Sequence, residues 1–556
     1  FEVLNDGAVV LFVELDDAAR GIWLWSKEDG LKKMVIEGDP VPGYPEGATF
    51  SQIRQIAAGD RHEVAFTADL TGPGIGFTND NGAWLATTDD VKPLVVASDV
   101  VQIDGQPAVV GFVDLPNQVG TGERTGSGAD GRPSVINENG DVVLHVYFNG
   151  QPDAALLLAV RGGLVVNSTG DDDDDDPNDG VCDTGRDITR QSGSTEPECT
   201  LRAAIQEANQ QAGQDDISFD IDASGSVPMI SVMKALPTIQ DPIIIDGTTQ
   251  PGGLVRIDGA SLPGESDGLV AASGGSTLRG LIVTRFGGNG IVFTGENGNR
   301  LFASFIGTDG VGTQGLGNGD GLRIERSSAN FVGGDAASTG NVISGNLGSG
   351  IRITLDANAN LVQGNFVGVD RSGEVVPNAV GVDIFSSGYN IVGGGAGMGN
   401  VISGNTIDGV RIQSEVAKSG AATEGNEISG NIIGSDASGL ENLGNTRYGV
   451  NIEGGINSVV GGSESGEGNL IVGNGEAGIR IRHGSGTEVL GNRIGVNADL
   501  AAIPNLIGIL IDESPSNLIG NDNRLSEPNV IAGNDSAGVA VIGESSDFNR
   551  IRKNAF

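Results

Sequence analysis

Aromatic side chains make up only 4% of this chain, which has 4 Met, 3 His and 2 Cys among 556 residues. The length allows several domains, but the bulky residues of one compact globular core are missing. No run of about 18 apolar residues occurs, the length at which a membrane-spanning helix begins. Positive charge is also scarce: 32 Lys and Arg stand against 73 Asp and Glu, a net charge of −41. That balance argues against nucleic acid or an anionic membrane as partners held by simple attraction. It suits export, a saline habitat or divalent-cation binding without choosing among them. Phe1 falls in a strand-like run and Phe556 in a repeat, so the chain reads as part of something longer, with targeting signals outside it.

Glycine is the residue in excess, with 92 copies and no collagen period. From about Gly290 onward a Gly-apolar-x-apolar pattern recurs. It runs through Gly321-Leu322-Arg323-Ile324, Gly350-Ile351-Arg352-Ile353, Gly381-Val382-Asp383-Ile384 and Gly409-Val410-Arg411-Ile412. It continues at Gly449, Gly478, Gly508 and Gly538. The spacing is roughly thirty residues, with one interval of about forty, which marks a repeat architecture. In each copy the apolar pair points inward and the middle residue outward. The outward column then reads Arg323, Arg352, Asp383, Arg411, Asn451, Arg480, Leu510, Ala540. Coils stacked about 4.8 Å apart would put Asp383 between Arg352 and Arg411.

A second marker, x-Gly-Asn, recurs at Asn346, Asn365, Asn405, Asn431, Asn474, Asn492 and Asn534. Its distance from the coil glycine alternates between long and short. Alternate coils should therefore carry an extra loop before the Asn (Gly333–Asn341, Gly393–Asn400, Gly461–Asn469, Gly520–Asn529). The others should carry one after it (Val367–Val380, Ile433–Tyr448, Ile494–Ile507). The coil from Gly409 is expected to break the alternation by holding both loops. Without loops a coil has the length of one turn of a three-sided parallel β-helix.

Residues 1–165 follow another rule. Alternating runs at Gly7–Leu15, Glu63–Leu70 and Asp141–Phe148 are each followed by a second one, at Gly21–Trp25, Gly82–Ala86 and Asp153–Ala159. Period-two alternation between Asp/Gly/Pro-rich gaps predicts antiparallel, propeller-like units. Asn137-Glu138-Asn139-Gly140-Asp141-Val142-Val143-Leu144 and Val64-Ala65-Phe66, with His62 at a glycine position, resemble the tandem NxxGxxAF repeats of large bacterial surface proteins. His62 and His145 have no partner pattern.

Between the two regions, Asp171 to Asp176 form an unbroken acid run followed by Pro177-Asn178-Asp179-Gly180. It reads as a solvated linker. Asp173, Asp175, Asp176, Asn178 and Asp179 are also candidate calcium ligands, being hard oxygen donors at close spacing. Cys182 and Cys199 share one polar stretch without metal-ligand company, so a disulfide and an oxidising compartment are expected. Thr200 can cap a helix over Leu201–Asn209 with Leu201, Ala204, Ile205 and Ala208 on one face. The Asp179-Gly180-Val181-Cys182-Asp183 segment, with Cys199-Thr200-Leu201-Arg202-Ala203-Ala204, resembles the CSLREA domain of exported bacterial proteins. Thr200 and Ala203 depart from its name-giving letters. The resemblance implies a right-handed parallel β-helix downstream, with the helix covering its open end. Residues 290–556 likewise resemble the NxIG-type repeats that follow such segments.

The expected fold is therefore all-β. A right-handed parallel β-helix solenoid of pectin-lyase-like kind (223–556) follows an antiparallel, propeller-like region (1–165) and an acidic linker with capping helix (166–222). The fold's resemblance to pectate lyases and polygalacturonases implies one class of activity, polysaccharide lyase or hydrolase. Arg352, Asp383 and Arg411 are the nearest candidates for a lyase centre, but with one acid and no ligand cluster beside it a surface ion-pair ladder accounts for them without chemistry. No pair of outward carboxylates suits a hydrolase, and His483 stands alone in a turn. Asp309, Asp370, Asp436 and Asn497 recur in register in alternate loops, with Asn318, Asn378, Asn445 and Asn505 after them. They are candidate ligands for a sugar or cation, or simple turn formers. A secreted or cell-surface scaffold of adhesin type, binding polysaccharide or cell-surface glycan without catalysis, is the expected function. No cofactor other than calcium is implied.

Overall fold

The computed structural model describes residues 2–3, 9–14, 20–27, 30–41, 47–58, 64–72, 75, 81–86, 91–96, 100–103, 106–114, 142–148, 151–160, 164–177, 181–191, 195–210, 213–223, 226–334, 339–414, 423–520 and 528–556. The chain divides into two compact units, Phe1–Leu164 with Gly213–Asp216, and Val165–Ala212 with Ile217–Phe556.

Among the described residues of the first unit the strands form three antiparallel four-stranded sheets, each in chain order. The first spans Glu2–Val3 to Gly30–Ile36, the second Thr49–Ala58 to Val91–Val96, and the third Val100–Ile103 to Gln151–Val160. Four strands in sequence is the make-up of a propeller blade. The two alternating runs read from sequence are adjacent strands in each sheet, such as Val64–Thr71 and Asn81–Ala86. Val10, Ile22, Phe50, Phe66 and Trp84 are buried together. Phe50 meets Phe66 and Trp84 edge-on at 5.5 and 5.1 Å between ring centroids, the geometry that ring quadrupoles favour. His62 and residues 137–141 lie outside the described residues.

The second unit is a parallel β-helix. Among the described residues its coils contribute to sheets of 13, 11 and 10 strands. Each coil gives a strand to the ten-stranded, the thirteen-stranded and the eleven-stranded sheet in that order, as Ser349–Thr354, Leu361–Gln363 and Phe366–Val367 do. The stacking register is the one the glycines predict: Arg323, Arg352, Asp383, Arg411, Asn451, Arg480, Leu510 and Ala540 are successive neighbours. Their flanking apolar residues, Ile351, Ile353, Val382 and Ile384 among them, are fully buried.

The coil glycines are needed for space. A Cβ on Gly409 would lie 2.7 Å from the Gly449 carbonyl oxygen and 2.8 Å from Asn445 Nδ2. That amide belongs to a ladder. Asn318, Asn346, Asn378, Asn405, Asn445, Asn474 and Asn505 each donate Nδ2 to the next Oδ1 at 2.9–3.3 Å, ending at Asn534. A second ladder runs from Asn341 through Asn365, Asn400, Asn431, Asn469, Asn492 and Asn529 to Asn554 at 2.8–3.0 Å. A third links Asn330, Asn360, Asn390 and Asn426, and resumes at Asn517 and Asn549. Between them stand Ser458 and Thr487, whose buried hydroxyls hydrogen-bond to nothing among the described residues.

The ladders refine the x-Gly-Asn reading. Asn346, Asn405, Asn474 and Asn534 belong to one corner and Asn365, Asn431 and Asn492 to another. The marker alternates because it is the tight turn at whichever of the two corners carries no loop. The loops fall where expected, between Phe331–Gly333 and Val342–Ile343 in one coil and between Phe366–Val367 and Val380–Phe385 in the next. The coil from Gly409 keeps the alternation, contrary to expectation. Its extra residues sit at the third corner, between Val410–Gln413 and Glu427–Ser429, where an insertion leaves both other turns intact.

The acid run is solvated in part, with Asp173, Asp175 and Asp176 exposed, and held by partners elsewhere. Asp171 is buried against Arg202, whose Nη2 lies 2.8 Å from Oδ1, and it also accepts from the Met233 backbone N–H at 2.7 Å. Asp174 accepts from the backbone N–H groups of Asp176 and Asp183, while Asp173 pairs with Lys234. Asp172 takes the more exposed Arg186. Cys182 and Cys199 form a disulfide. The helix Leu201–Ala208 follows it, capped by Thr200 Oγ1 accepting from the Ala203 N–H. Leu201, Ala204, Ile205 and Ala208 are buried as the pattern requires. Arg202 and Glu207 are buried too, so the helix is enclosed on more than its apolar face.

Candidate functional site

The polar surface richest in charge pairs lies on the outer face of the ten-stranded sheet, where backbone alternation turns the middle residue of each Gly-apolar-x-apolar strand outward. Arg411 holds Asp383 through two parallel hydrogen bonds, Nε to Oδ1 and Nη2 to Oδ2, both 3.0 Å. The Asp383 side chain is 1% exposed. Arg352 does not complete an Arg–Asp–Arg ladder. Its Nη1 lies 3.8 Å from Asp320 of the preceding coil.

Beside this pair sits a second acid, Asp408, buried at the residue before the coil glycine. It accepts from Asn451 Nδ2 at 2.9 Å and from the Tyr448 backbone N–H at 3.4 Å. Burial pushes its carboxyl above the usual value, against the pull of the Asn451 amide and the Arg411 charge. Burial opposes the charge on Arg411, yet its hydrogen bonds to Asp383 and its attraction to both acids raise its pKa.

The neighbouring coils extend the array. Arg447 Nε meets Glu476 at 3.0 Å, and the guanidinium carbons of Arg447 and Arg480 lie 4.8 and 5.2 Å from the Tyr448 ring centroid, a cation–π arrangement. Burial and a hydrogen bond to Glu476 raise the Tyr448 phenol, so it stays protonated and is no base at neutral pH. Arg480 reaches Glu453 and Asp512 at 3.5 and 3.7 Å, and Arg482 reaches Asp512 at 3.2 Å. His483 Nδ1 is 3.9 Å from Glu453, in a turn with φ of +51°. Each of these guanidinium groups faces a carboxylate, so the surface presents donors and acceptors side by side with little net positive charge.

The other sequence candidates are placed elsewhere. Asp309, Asp370, Asp436 and Asn497 open four short hairpin loops, closed by bridges such as Val369 to Val375 and Ser435 to Asn442. Their side-chain oxygens accept from their own turn: Asp370 from Ser372 and Glu374, Asn497 from Asp499 and Ala501. Asp436 accepts from Ser438, Leu440 and Glu441. Burial works against its charge, yet these hydrogen bonds bring its carboxyl down to about 2. Asn318, Asn378, Asn445 and Asn505 are buried in the first ladder. Asp173, Asp175 and Asp176 do not converge, and no group of three His, Cys, Asp or Glu suited to a metal gathers among the described residues. Asn178 and Asp179 lie outside them.

Asp408, Tyr448 and Glu476 were not singled out in sequence. The signal was present, since the residue before each coil glycine forms its own column: Asp320, Ser349, Val380, Asp408, Tyr448, Ala477.

Residues 7–150 match the Family of unknown function (DUF7453). No curated protein matches the chain. Among solved structures, it is similar to the periplasmic alginate epimerase AlgG, at 13% identity over 61% of this chain and 76% of that one, with a TM-score of 0.37. It is similar to the Dettilon tailspike protein at 13% identity over 62% and 66%, TM-score 0.35. The A-module of Azotobacter vinelandii mannuronan C-5 epimerase AlgE6 follows at 14% over 63% and 94%, TM-score 0.31. The strand register of this chain, and not these likenesses, carries its fold. No helix among the described residues is long and apolar enough to cross a membrane.

Proposed function

We propose that the chain is a secreted or cell-surface β-helix module that binds glycan along the outer face of the ten-stranded sheet without cleaving it. The observation that carries this is the row of guanidinium–carboxylate pairs, Arg323 with Glu325 at 2.8 Å, then Arg352, Arg411, Arg447 and Arg480 with their acids. The more exposed pairs among them, Arg323 with Glu325 and Arg447 with Glu476, offer a sugar hydroxyl an acceptor and a donor together. Coils about 4.8 Å apart repeat the offer along the axis, and weak contacts with a repeating polymer then sum. Neutralised cations and a net charge of −41 favour a neutral chain over a polyanion.

The disulfide supports an oxidising compartment. The Cys182–Cys199 bridge, the Thr200-capped helix and the coils after them support a CSLREA-type segment at the head of the solenoid, with the helix as its cap. Asp408 favours a second reading, cleavage. A buried carboxyl with a raised pKa beside an Arg and a Tyr is what a general acid requires. Against it, Asp383 gives both oxygens to Arg411, and the Tyr448 phenol is held protonated.

Affinity electrophoresis in gels containing hydroxyethylcellulose, galactomannan or polygalacturonate tests the binding. Retardation by a neutral polymer, with no new reducing ends or unsaturated products, is the expected result. Turnover abolished by Asp408→Asn would establish the enzyme instead, and mobility unchanged in every gel would end the glycan reading.

A further inference from the structure

Tyr389 is one of two aromatic residues, with Phe548, in a column of left-handed corner positions. At the corner after the ten-stranded sheet, the residue preceding each third-ladder position is left-handed in every coil from Ala329 to Phe548. Ala329, Ala359, Tyr389, Gly425, Asn457, Gly486, Ser516 and Phe548 have φ between +51° and +69°. Gly and Asn meet this demand at little cost, while a side chain as large as Tyr is strained by roughly 1–2 kcal/mol. Burial normally offsets such strain, yet Tyr389 is 57% exposed. The chain has 4 Tyr in all, and this one occupies a costly place with little hydrophobic return. Phe548 shares both the strain and the exposure, at 82%, so what singles out Tyr389 is the setting of its ring.

The ring leans along the axis over Gly425 of the next coil. A Cβ there would lie 2.8 Å from both Cδ1 and Cε1 of Tyr389, so only glycine lets the ring lie down. The Tyr389 N–H donates to the Glu424 carbonyl oxygen at 2.8 Å, which fixes the backbone beneath it. The Cδ1–Cε1 edge of the ring is therefore backed by protein, and the side chain is 57% exposed. Along the same corner, exposed Asn457 donates Nδ2 to Glu424 Oε1 at 3.0 Å, and Asn358 Oδ1 accepts from the Gly388 N–H at 2.7 Å. An aromatic face flanked by amide and carboxylate groups matches a pyranose ring, which carries apolar C–H bonds on its faces and hydroxyls round its edge. The electron-rich face of Tyr attracts the polarised C–H bonds, and the edge hydroxyls reach polar groups.

We infer that Tyr389 is a stacking platform for one pyranose unit of a glycan chain, with Gly425 as its bed and Glu424 and Asn457 as edge contacts. The inference rests on the glycan-binding reading and names the residue that anchors it.

The test compares the full chain with Tyr389→Gly and Tyr389→Phe in gels of hydroxyethylcellulose and galactomannan, with melting temperatures alongside. Tyr389→Gly should weaken retardation by roughly tenfold in dissociation constant, the scale of one lost aromatic contact. Its melting temperature should be unchanged or raised, because strain is relieved. Tyr389→Phe should bind like the parent, since the ring and not the hydroxyl does the stacking. Equal retardation of parent and Tyr389→Gly overturns the platform alone, as does a lowered melting temperature in Tyr389→Gly, which would make the ring structural. A parent retarded by neither polymer removes the platform and the glycan reading together.

Discussion

Asn378 Oδ1 accepts two hydrogen bonds from Asn346 on the preceding coil, one from the backbone N–H and one from Nδ2, each 3.0 Å. Both residues are buried, so the solenoid carries a polar spine inside its corner. A side chain with one acceptor and one donor end is what such a spine needs, because each Asn must receive from one side and give to the other. Asn378→Ala leaves two donors of Asn346 without their acceptor, at about 1–3 kcal/mol each. Asn378→Asp should cost at least as much, because it sets an acceptor against Asn405 Oδ1 and the Ile343 carbonyl oxygen. Denaturant midpoints of the two variants check this. In the third ladder the reverse change should help: Ser458→Asn with Thr487→Asn fills the gap between Asn426 and Asn517 and should raise the midpoint.

The coil glycines give a contrast that separates space from flexibility. Gly409→Ala drives a methyl group against the Gly449 carbonyl oxygen and Asn445, while Gly395→Ala meets nothing within 4 Å. Overpacking costs roughly 1–3 kcal/mol, so the first variant should melt earlier and the second should melt with the parent. Equal melting of both would show that the repeating glycine is not a steric requirement.

Within one run of aspartates, two neighbours should behave differently. Asp171→Ala strands Arg202, whose side chain is 3% exposed, and a buried ion left alone costs about 3–5 kcal/mol. Asp172→Ala removes a pair whose side chains are 45% and 66% exposed, worth less than about 1 kcal/mol. Thermal unfolding of the two variants is the measurement. Cys199→Ala belongs to the same test of this segment. Opening a loop with a sequence separation of 17 should cost about 3 kcal/mol, and a reducing agent should lower the parent's stability to match.

These contrasts show why the solenoid was legible in sequence. Gly321, Gly350, Gly381 and their successors recur because a Cβ would strike the next coil, a demand no neighbouring side chain can relax. Their register with Arg323, Arg352 and Asp383 followed directly. The asparagines were legible as a recurring mark but not as ladders, since Asn346 and Asn365 share a motif while standing at different corners. The acid run was legible in part: Asp173, Asp175 and Asp176 are exposed as a solvated run would be, while Asp171 is taken up by Arg202. At the candidate site, Asp383 with Arg411 followed from the coil spacing. Asp408 did not, because its burial comes from loops and neighbours that no period announces. Tyr389 was invisible for a similar reason: only the backbone reveals that its position is left-handed.

Asp408 gives the sharpest pH test. Burial raises its carboxyl from the ordinary 3.8, and the Asn451 hydrogen bond and the Arg411 charge only partly oppose this. The folded chain therefore holds this proton to a higher pH than the unfolded chain does. Between the two values the native state binds more protons, so this group's contribution to stability falls as pH rises. The cost is fully developed above the folded value and gone only below about pH 3, under the unfolded value, where both states are protonated. Asp408→Asn keeps the shape and an acceptor oxygen but cannot ionise. Its melting temperature should exceed the parent's at pH 8, and the gap should narrow as pH falls. At about pH 3 the two should coincide, because a protonated Asp408 and an Asn are close in shape and charge. A gap that widens on acidification would mean that ionised Asp408 is a net stabiliser held by Arg411, and the burial argument would then be wrong.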